Sequence, residues 1–351
     1  MNMYYKKIYD EIDDIDLELT GLFEKRMNLW EDSGAFDSSL SGIKKEALYE
    51  NIMTKLTHWK CNYIQYLDIF RNLREPVEDP KIVYQGEPGA YSEMAALDFF
   101  GNDIDPRGLL HFEDTFEALK NNEADYAVLP IENSTSGAIR QVYDLLTQYD
   151  CYVVGETTVS VKHNLMALPG TKIEDIDTVY SHEQGLFQCE SFLKKHEGWK
   201  LHPQADTAGS AKKVAELNNK HAAAICSSRA AEIYNLEILA ENINSNTNNT
   251  TRFVVVSPKP ELREGRDKIG IALTTAHKAG ALHEILTIFT IHGLNLVKLE
   301  SRPIPEHNWE YMFFIEFTGD LTSPGMEKVM NELIQTAFNL RIFGNYKSNL
   351  K

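Results

Sequence analysis

"ADYAVLPIENSTSGAIRQVYDLLTQYDCYVVGETTVSV" spans residues 124–161, and the order of its patterns decides the fold. ADYAVLPIEN is a short apolar run that ends on polar residues. AIRQVYDLLTQY follows with helical periodicity, and CYVVGETTVSV is again strand-like. Strand, helix and strand in succession predict a layered α/β fold. The same rhythm extends over residues 81–257. KIVYQG, IDTVYS, HAAAIC and RFVVVS read as further strands, and EMAALDFF, EQGLFQCESFLKK and TAGSAKKVAEL as helices between them. A chain with two such halves often carries its ligand in the cleft between them.

Two other patterns flank this segment. Upstream, residues 1–75 are helical in pattern, with Ile8, Ile12, Ile15, Leu19, Leu22 and Leu29 on one face of a long helix. REPVEDP (74–80) then reads as a linker, because its two prolines break the periodicity. Downstream of SPKPELREGRD, the order is strand (269–275), helix (280–292), strand (294–301), strand (309–318), helix (323–337) and strand (340–347). This is the ferredoxin-like βαββαβ order, and it predicts a domain of its own over 267–350.

A chain of 351 residues suits two or three domains. Its net charge of -17 argues against non-specific nucleic-acid binding, which needs a basic footprint. An anionic small substrate stays open, because local arginines decide that. Cys61, Cys151, Cys189 and Cys226 are scattered without a CxxC pair. They read as buried apolar residues in a reducing compartment, with neither a metal site nor a disulfide. The N-terminal stretch turns acidic at once, and no apolar run approaches the ~20 residues of a membrane span. The expectation is a cytoplasmic protein.

Polar groups cluster at the strand ends. QGEPGAYS (85–92) follows a strand and precedes a helix, with Gly86 and Gly89 permitting close approach and Ser92 near the helix start. PIENSTSG (130–137) places Glu132, Asn133 and Ser134 at the C-terminal edge of a strand, where α/β proteins bind ligands. KHNLMAL (162–168) adds His163, and SHEQGLFQC (181–189) adds Ser181 and His182. The run Asn242–Thr251 delivers two threonines, then Arg252 and Phe253, to the mouth of a strand. Read singly, each of these is a capped turn.

Taken together, in this order and spacing, GEPGAYS, PIENSTSG, KHNLMAL, SHEQGLFQC, DTAGSA (206–211) and TRF (251–253) resemble the prephenate dehydratases. AGALHEILTIFTIHGLNLVKLESRP (279–303) resembles the ACT regulatory domain fused to them. The resemblance implies a two-lobed catalytic domain over 81–257, like a periplasmic binding protein, with its site in the cleft. The reaction it implies converts prephenate to phenylpyruvate, water and carbon dioxide without a cofactor. Thr251 matches the family's acidic donor, and Arg252 is expected to supply a planar cation near the cleft. Asn133, Ser134, Gly89, Ser92, Glu132, His163, Ser181, Thr207 and Phe253 complete the expected site. The same resemblance implies phenylalanine binding by Gly280, Ala281, Leu282, Asn295, Glu300, Ser301 and Arg302 between paired subunits, hence a homo-oligomer of at least two chains.

IDDIDLELTGLFEKRMNL (12–29) resembles the first helix of the chorismate mutase domain of bifunctional enzymes, with Arg26 on its apolar stripe. An ungapped reading puts Tyr9 and Asp37 where that family has cations, and Lys45 and Glu46 where it has an arginine–glutamate pair. Reversed charge around a dianion predicts a degenerate mutase-like domain over 1–75. Active mutase, arogenate as the dehydratase substrate, and a silent amino-acid-sensing protein are the alternatives.

Overall fold

The computed structural model describes residues 62–63, 65–304 and 311–349. The chain divides into two units, Met1–Thr57 and His58–Lys351. The expectations for Arg26, Lys45 and Glu46 lie outside the described residues. Residues 65–71 are helical and lie within the second unit, so the expected boundary at residue 75 falls inside that unit. Asn62 accounts for part of this. Its amide donates to the carbonyls of Ile334 and Ala337 at 3.1 and 3.0 Å and accepts from the Leu340 N–H at 2.8 Å.

The chain next builds β1 (Ile82–Gln85), α1 (Tyr91–Phe100), β2 (Arg107–Leu109), α2 (Phe112–Lys120), β3 (Tyr126–Asn133), β4 (Gly137–Ala138), α3 (Arg140–Gln148) and β5 (Tyr152–Ser160). A second lobe follows: β6 (Asn164–Ala167), β7 (Thr178–His182), α4 (Glu183–Gln188), α5 (Glu190–Leu193), β8 (Lys200–Gln204), α6 (Thr207–Leu217), β9 (Ala222–Cys226), α7 (Ser228–Ile233) and β10 (Glu237–Ala240). β11 (Thr250–Ser257) then returns to the first lobe. There it lies between β3 and β5, antiparallel to both, in the order β2-β1-β3-β11-β5. The second lobe has the order β10-β6-β9-β7-β8, with both parallel and antiparallel neighbours. Two crossings therefore join two mixed sheets, the layered α/β fold that the alternating pattern predicts in the two-lobed arrangement that the family resemblance implies.

The asparagine-rich run before β11 is the second crossing. Asn244 donates to the Val161 carbonyl at 3.1 Å and accepts from the His163 N–H at 2.7 Å. The Val161 N–H reaches the Asn249 carbonyl at 2.8 Å. Asparagine suits a segment with no ladder, because its amide supplies backbone groups with partners.

The third sheet has the order β13-β14-β12-β15 and is antiparallel throughout, from β12 (Lys268–Thr274), β13 (Leu296–Pro303), β14 (Tyr311–Thr318) and β15 (Asn339–Tyr346). α8 (Ala281–Ile291) and α9 (Met326–Thr336) complete the βαββαβ unit. β12 is buried along its whole length, because both faces of its sheet are covered. The face away from α8 and α9 packs on the first lobe. Ala272, Phe314, Phe343 and Tyr346 share one core with Val153, Val254, Phe116 and Leu145. Arg341 fastens the edge, donating to the Thr147 and Cys151 carbonyls at 2.9 and 3.0 Å.

Several elements depart from the sequence reading. The single helix expected over 183–195 is broken at Cys189 into α4 and α5. KHNLMAL contains a strand, β6, and β2, β8, β10, α2 and α7 were not expected. β8 is largely exposed on the sheet edge, so its sequence KLHPQ has no apolar alternation to read.

Gly344 of β15 packs so closely on β5 that a Cβ there would overlap the Val153 carbonyl oxygen. Gly344→Ala is therefore expected to destabilise the protein by about 1–3 kcal/mol through overpacking, seen as a lower midpoint in thermal or urea melts. An unchanged midpoint would contradict the close docking of the two sheets.

Candidate functional site

A cleft of about 410 Å³ lies between the lobes. Its floor comes from the C-terminal ends of β1 and β3 and the first residues of β11, the edge at which open α/β sheets bind ligands. Ser92 at the start of α1, Thr207 at the start of α6, and His163, Asn133, Thr251 and Phe253 all line it. So do Gln85, Gln184, Gln188 and Asp206, which sequence reasoning did not select. For Asp206 and Gln184 the signal was the capping position: His182 accepts from the Gln184 N–H at 3.2 Å to start α4, and Asp206 accepts from the Gly209 N–H at 2.6 Å to start α6. Helix starts from both lobes thus face one space, and helix N-termini favour negative charge.

Asn133 and Thr251 form the centre. They are register partners on β3 and β11. The Asn133 Oδ1 accepts from the backbone N–H groups of Thr135 and Ser136, both at 3.0 Å. Only an oxygen can accept those two bonds, so the other amide atom is the nitrogen. That Nδ2 donates to Thr251 Oγ1 at 2.9 Å and to Asn249 Oδ1 at 2.7 Å. The threonine oxygen is therefore an acceptor toward Asn133, and its own O–H is left to donate into the cleft.

His163 is 2 % exposed, and burial lowers its pKa from the ordinary value of 6.5, opposed by its bond to Gln188. Its Nε2 lies 2.9 Å from Gln188 Oε1, and Nδ1 lies 3.3 Å from the Tyr91 hydroxyl. Asp206 moves the other way: burial raises its carboxyl above the usual range, partly offset by its bond from Gly209. The cleft lining among the described residues contains neither arginine nor lysine.

Other expected site residues are placed elsewhere. Arg252 is the main correction. Side chains alternate along a strand, so with Thr251 and Phe253 in the cleft, Arg252 points to the opposite face. There its guanidinium meets Glu316 at 2.7 and 3.0 Å, Glu156 at 3.0 Å and Glu132 at 3.1 Å. Burial by itself would lower its pKa, but Glu316, Tyr346 and Glu156 hold it above the ordinary value. Glu132 is drawn to the same face, bound also by Lys298 at 2.9 Å. Burial tends to raise the Glu132 carboxyl, yet Lys298 and Arg252 hold it below its usual value. Ser134 lies beside the cleft, its hydroxyl accepting from the Thr250 N–H at 3.0 Å. Ser181 is spent in the second lobe, donating to the Ile225 carbonyl at 2.7 Å. Gly89 does not line the cleft. Its φ is +91°, and a Cβ would stand 2.7 Å from Ala230, so it lets the lobes approach.

The expected effector residues also separate. Ala281 and Leu282 line a cavity of about 340 Å³ with Thr275, His277, Tyr311 and Phe313, and Gly280 opens α8 with a left-handed φ of 86°. Arg302 instead binds Asp144 of α3 at 2.8 and 3.1 Å. The Asn295 backbone carbonyl accepts from the Thr318 N–H at 2.9 Å, and none of Asn295, Glu300 and Ser301 lines that cavity.

A two-lobed cleft protein with oriented hydroxyl and amide groups, joined to a ferredoxin-like βαββαβ domain with a cavity of its own, is the class these features define. The chain belongs to the prephenate dehydratase family. The family model "Prephenate dehydratase" matches residues 82–261, and "ACT domain" matches 273–335. A bifunctional chorismate mutase/prephenate dehydratase of Enterobacter agglomerans is 37% identical, covering 79% of this chain and 73% of that protein. One of the same name from Pseudomonas aeruginosa is 29% identical over 96% of this chain and 98% of its own length. Arogenate dehydratase 3 of Arabidopsis thaliana is 38% identical, over 77% and 68%. Among solved structures, the prephenate dehydratase of Arthrobacter aurescens in complex with L-Phe superposes with a TM-score of 0.70 at 29% identity, covering 76% of this chain and 90% of that one. A quorum quenching acylase superposes equally, with a TM-score of 0.70 at 28% identity over 76% and 98%. One fold thus carries different chemistries, and activity has to be argued from the site.

Burial of neutral His163 ties stability to pH. The unfolded histidine takes up a proton near 6.5, whereas the folded one resists it to lower pH. Stability is therefore expected to fall as pH drops below about 6.5. His163→Gln should flatten that part of a melting-midpoint-against-pH curve, and an unaltered slope would show that the ring is not held neutral.

Proposed function

We propose that this chain dehydrates and decarboxylates prephenate to phenylpyruvate, and that phenylalanine acts on it through the ACT domain. The observation that carries the first part is the Asn133–Thr251 pair. A threonine hydroxyl is a weak acid in water, so it contributes only as a preorganised donor in a water-poor site. Asn133 occupies the Thr251 oxygen as a donor and leaves the threonine proton aimed at the cleft. In the reaction the carboxylate leaves as carbon dioxide. The electron pair of the broken C–C bond enters the ring, and the C–O bond breaks at the far side. Thr251 donates a hydrogen bond to the departing oxygen, which takes up one proton and leaves as water; the threonine hydroxyl regains its own proton from solvent, the source of the one proton the reaction consumes. Aromatisation supplies the driving force, so the chain's own residues need only orient the dianion and help hydroxide depart. With neither arginine nor lysine in the described lining, Ser92, Thr207, Gln184 and the helix starts are the groups suited to its carboxylates.

The effector reading rests on the cavity beside Ala281 and Leu282 together with family membership. Exposed Ile291, Val297 and Leu299 lie on the C-terminal end of α8 and on β13, a surface suited to a second copy of the ACT domain. Pairing of two chains would bring Asn295 and the Glu300–Arg302 strand of one to the cavity of the other. For residues 1–75 we retain the degenerate mutase-like reading, because Tyr9 and Asp37 stand where that family has cations.

Thr251→Ala is expected to fold normally and to lose about 10²–10⁴-fold in kcat, measured as phenylpyruvate release. Near wild-type turnover would remove Thr251 as the donor. Parallel assays with chorismate and arogenate decide the remaining alternatives. Chorismate should be converted weakly or not at all, and rapid conversion would make the helical segment an active mutase.

A further inference from the structure

Arg252 and Thr251 are consecutive on β11, yet they serve opposite faces of one sheet. On the face away from the cleft, three ACT strands each contribute one residue to a single charged cluster: Lys268 from β12, Lys298 from β13 and Glu316 from β14. The first lobe answers with Glu132, Glu156 and Arg252. Arg252 grips Glu316 with both terminal nitrogens, at 2.7 and 3.0 Å, and reaches Glu156 at 3.0 Å. Lys268 holds the same Glu156 at 2.7 and 2.8 Å. Lys298 and Arg252 share Glu132, at 2.9 and 3.1 Å. Three cations meet three carboxylates, so the cluster is balanced without a further ion. Arg252, Glu156 and Lys268 are almost fully buried.

The position of this cluster is what gives it consequence. Arg252 is the register partner of Glu132, and the next pair along is Thr251 with Asn133. The pair that orients the cleft hydroxyl is thus one residue removed, on both strands, from the ion cluster. The β3–β11 ladder also shifts register between Arg252 and Phe253. At such an irregularity the backbone bonds alone define the strand less firmly, and a side chain can be re-aimed. The charged anchor on the ACT side therefore has leverage on the residue next to it.

We propose that Arg252 is a positioning residue for the reaction. Anchored by Glu316 of the ACT domain, it fixes where β11 holds Thr251, so the ACT sheet sets the geometry of the donating hydroxyl. This inference rests on Thr251 being the donor, and the test separates the two. The full chain is assayed with prephenate as four proteins: wild type, Thr251→Ala, Glu316→Gln and the double variant. Loss of turnover in Thr251→Ala alone establishes the donor. Glu316→Gln keeps the side-chain shape and removes the charge that grips Arg252. It is expected to lower kcat about tenfold, since misplacement of a reacting group is costly, with KM changed by less than about twofold. In the Thr251→Ala background the same change should cost less than about twofold, because the residue it positions is gone. A Glu316→Gln protein with wild-type kcat overturns the proposal. So does a kcat loss that persists in full without Thr251, which would mark a merely structural role. If Glu316→Gln fails to fold, Glu132→Gln, at the more exposed edge of the cluster, runs through the same cycle, with the same non-additivity expected and plain additivity overturning the proposal.

Discussion

Both faces of β11 are committed, and this constraint organises the rest of the molecule. The strand lies inside the first sheet, bonded to β3 on one side and β5 on the other. One face turns Thr251 and Phe253 to the cleft, and the other turns Arg252 and Val254 to the ACT sheet. Breaking a buried ion pair by removing one partner typically costs about 3–5 kcal/mol, because the remaining charge is left uncompensated. The ACT sheet supplies charges to that pairing as well as apolar surface. Docking of the two domains is therefore fixed in register: Lys268, Lys298 and Glu316 have to arrive opposite Glu156, Glu132 and Arg252 together.

The cleft itself holds little charge. Its groups are mostly hydroxyls, amides, a neutral histidine and helix starts, which interact with an anion through oriented dipoles. Such dipoles need no reorganisation as charge shifts during reaction, and they gain strength where water is excluded. Moving the guanidinium of Arg252 to the opposite face fits this design.

The alternation of apolar runs and helical stretches made the layered α/β fold legible, and the βαββαβ order of the last 85 or so residues was read nearly element by element. Strands with little apolar pattern escaped, as in KLHPQ, as did the break at Cys189 that divides the helix expected over 183–195. For the site, a polar residue at a strand end or helix start was the signal for Ser92, Asn133 and Thr251, whereas Thr207 came only through the family resemblance; all four line the cleft. Arg252 was misplaced because sequence spacing says that neighbours on a strand face opposite ways but not which face is the cleft. Gly89 was misread for a related reason. A glycine with positive φ serves close approach of a ligand or of another backbone equally well, and only the position of Ala230 shows that here it is the other lobe. Glu316 lies 64 positions from Arg252 and no local pattern joins them.

The crossing segment explains why the Asn133–Thr251 pair sits where it does. Asn242–Asn249 runs from the second lobe back to the first, and Asn244 and Asn249 bond it to the outgoing crossing at Val161 and His163. Two such crossings bound together form the joint about which two lobes can approach or part. Thr251 comes two residues after that joint, on a strand of the first sheet, and its partner Asn133 belongs to the same sheet. A change in lobe separation would move Thr207 and Gln184 relative to this pair but leave the pair itself intact. Thr251, the proposed donor, thereby shares one sheet with Asn133, whereas Thr207 and Gln184 belong to the other lobe, so the bond that orients the hydroxyl does not depend on the separation of the lobes.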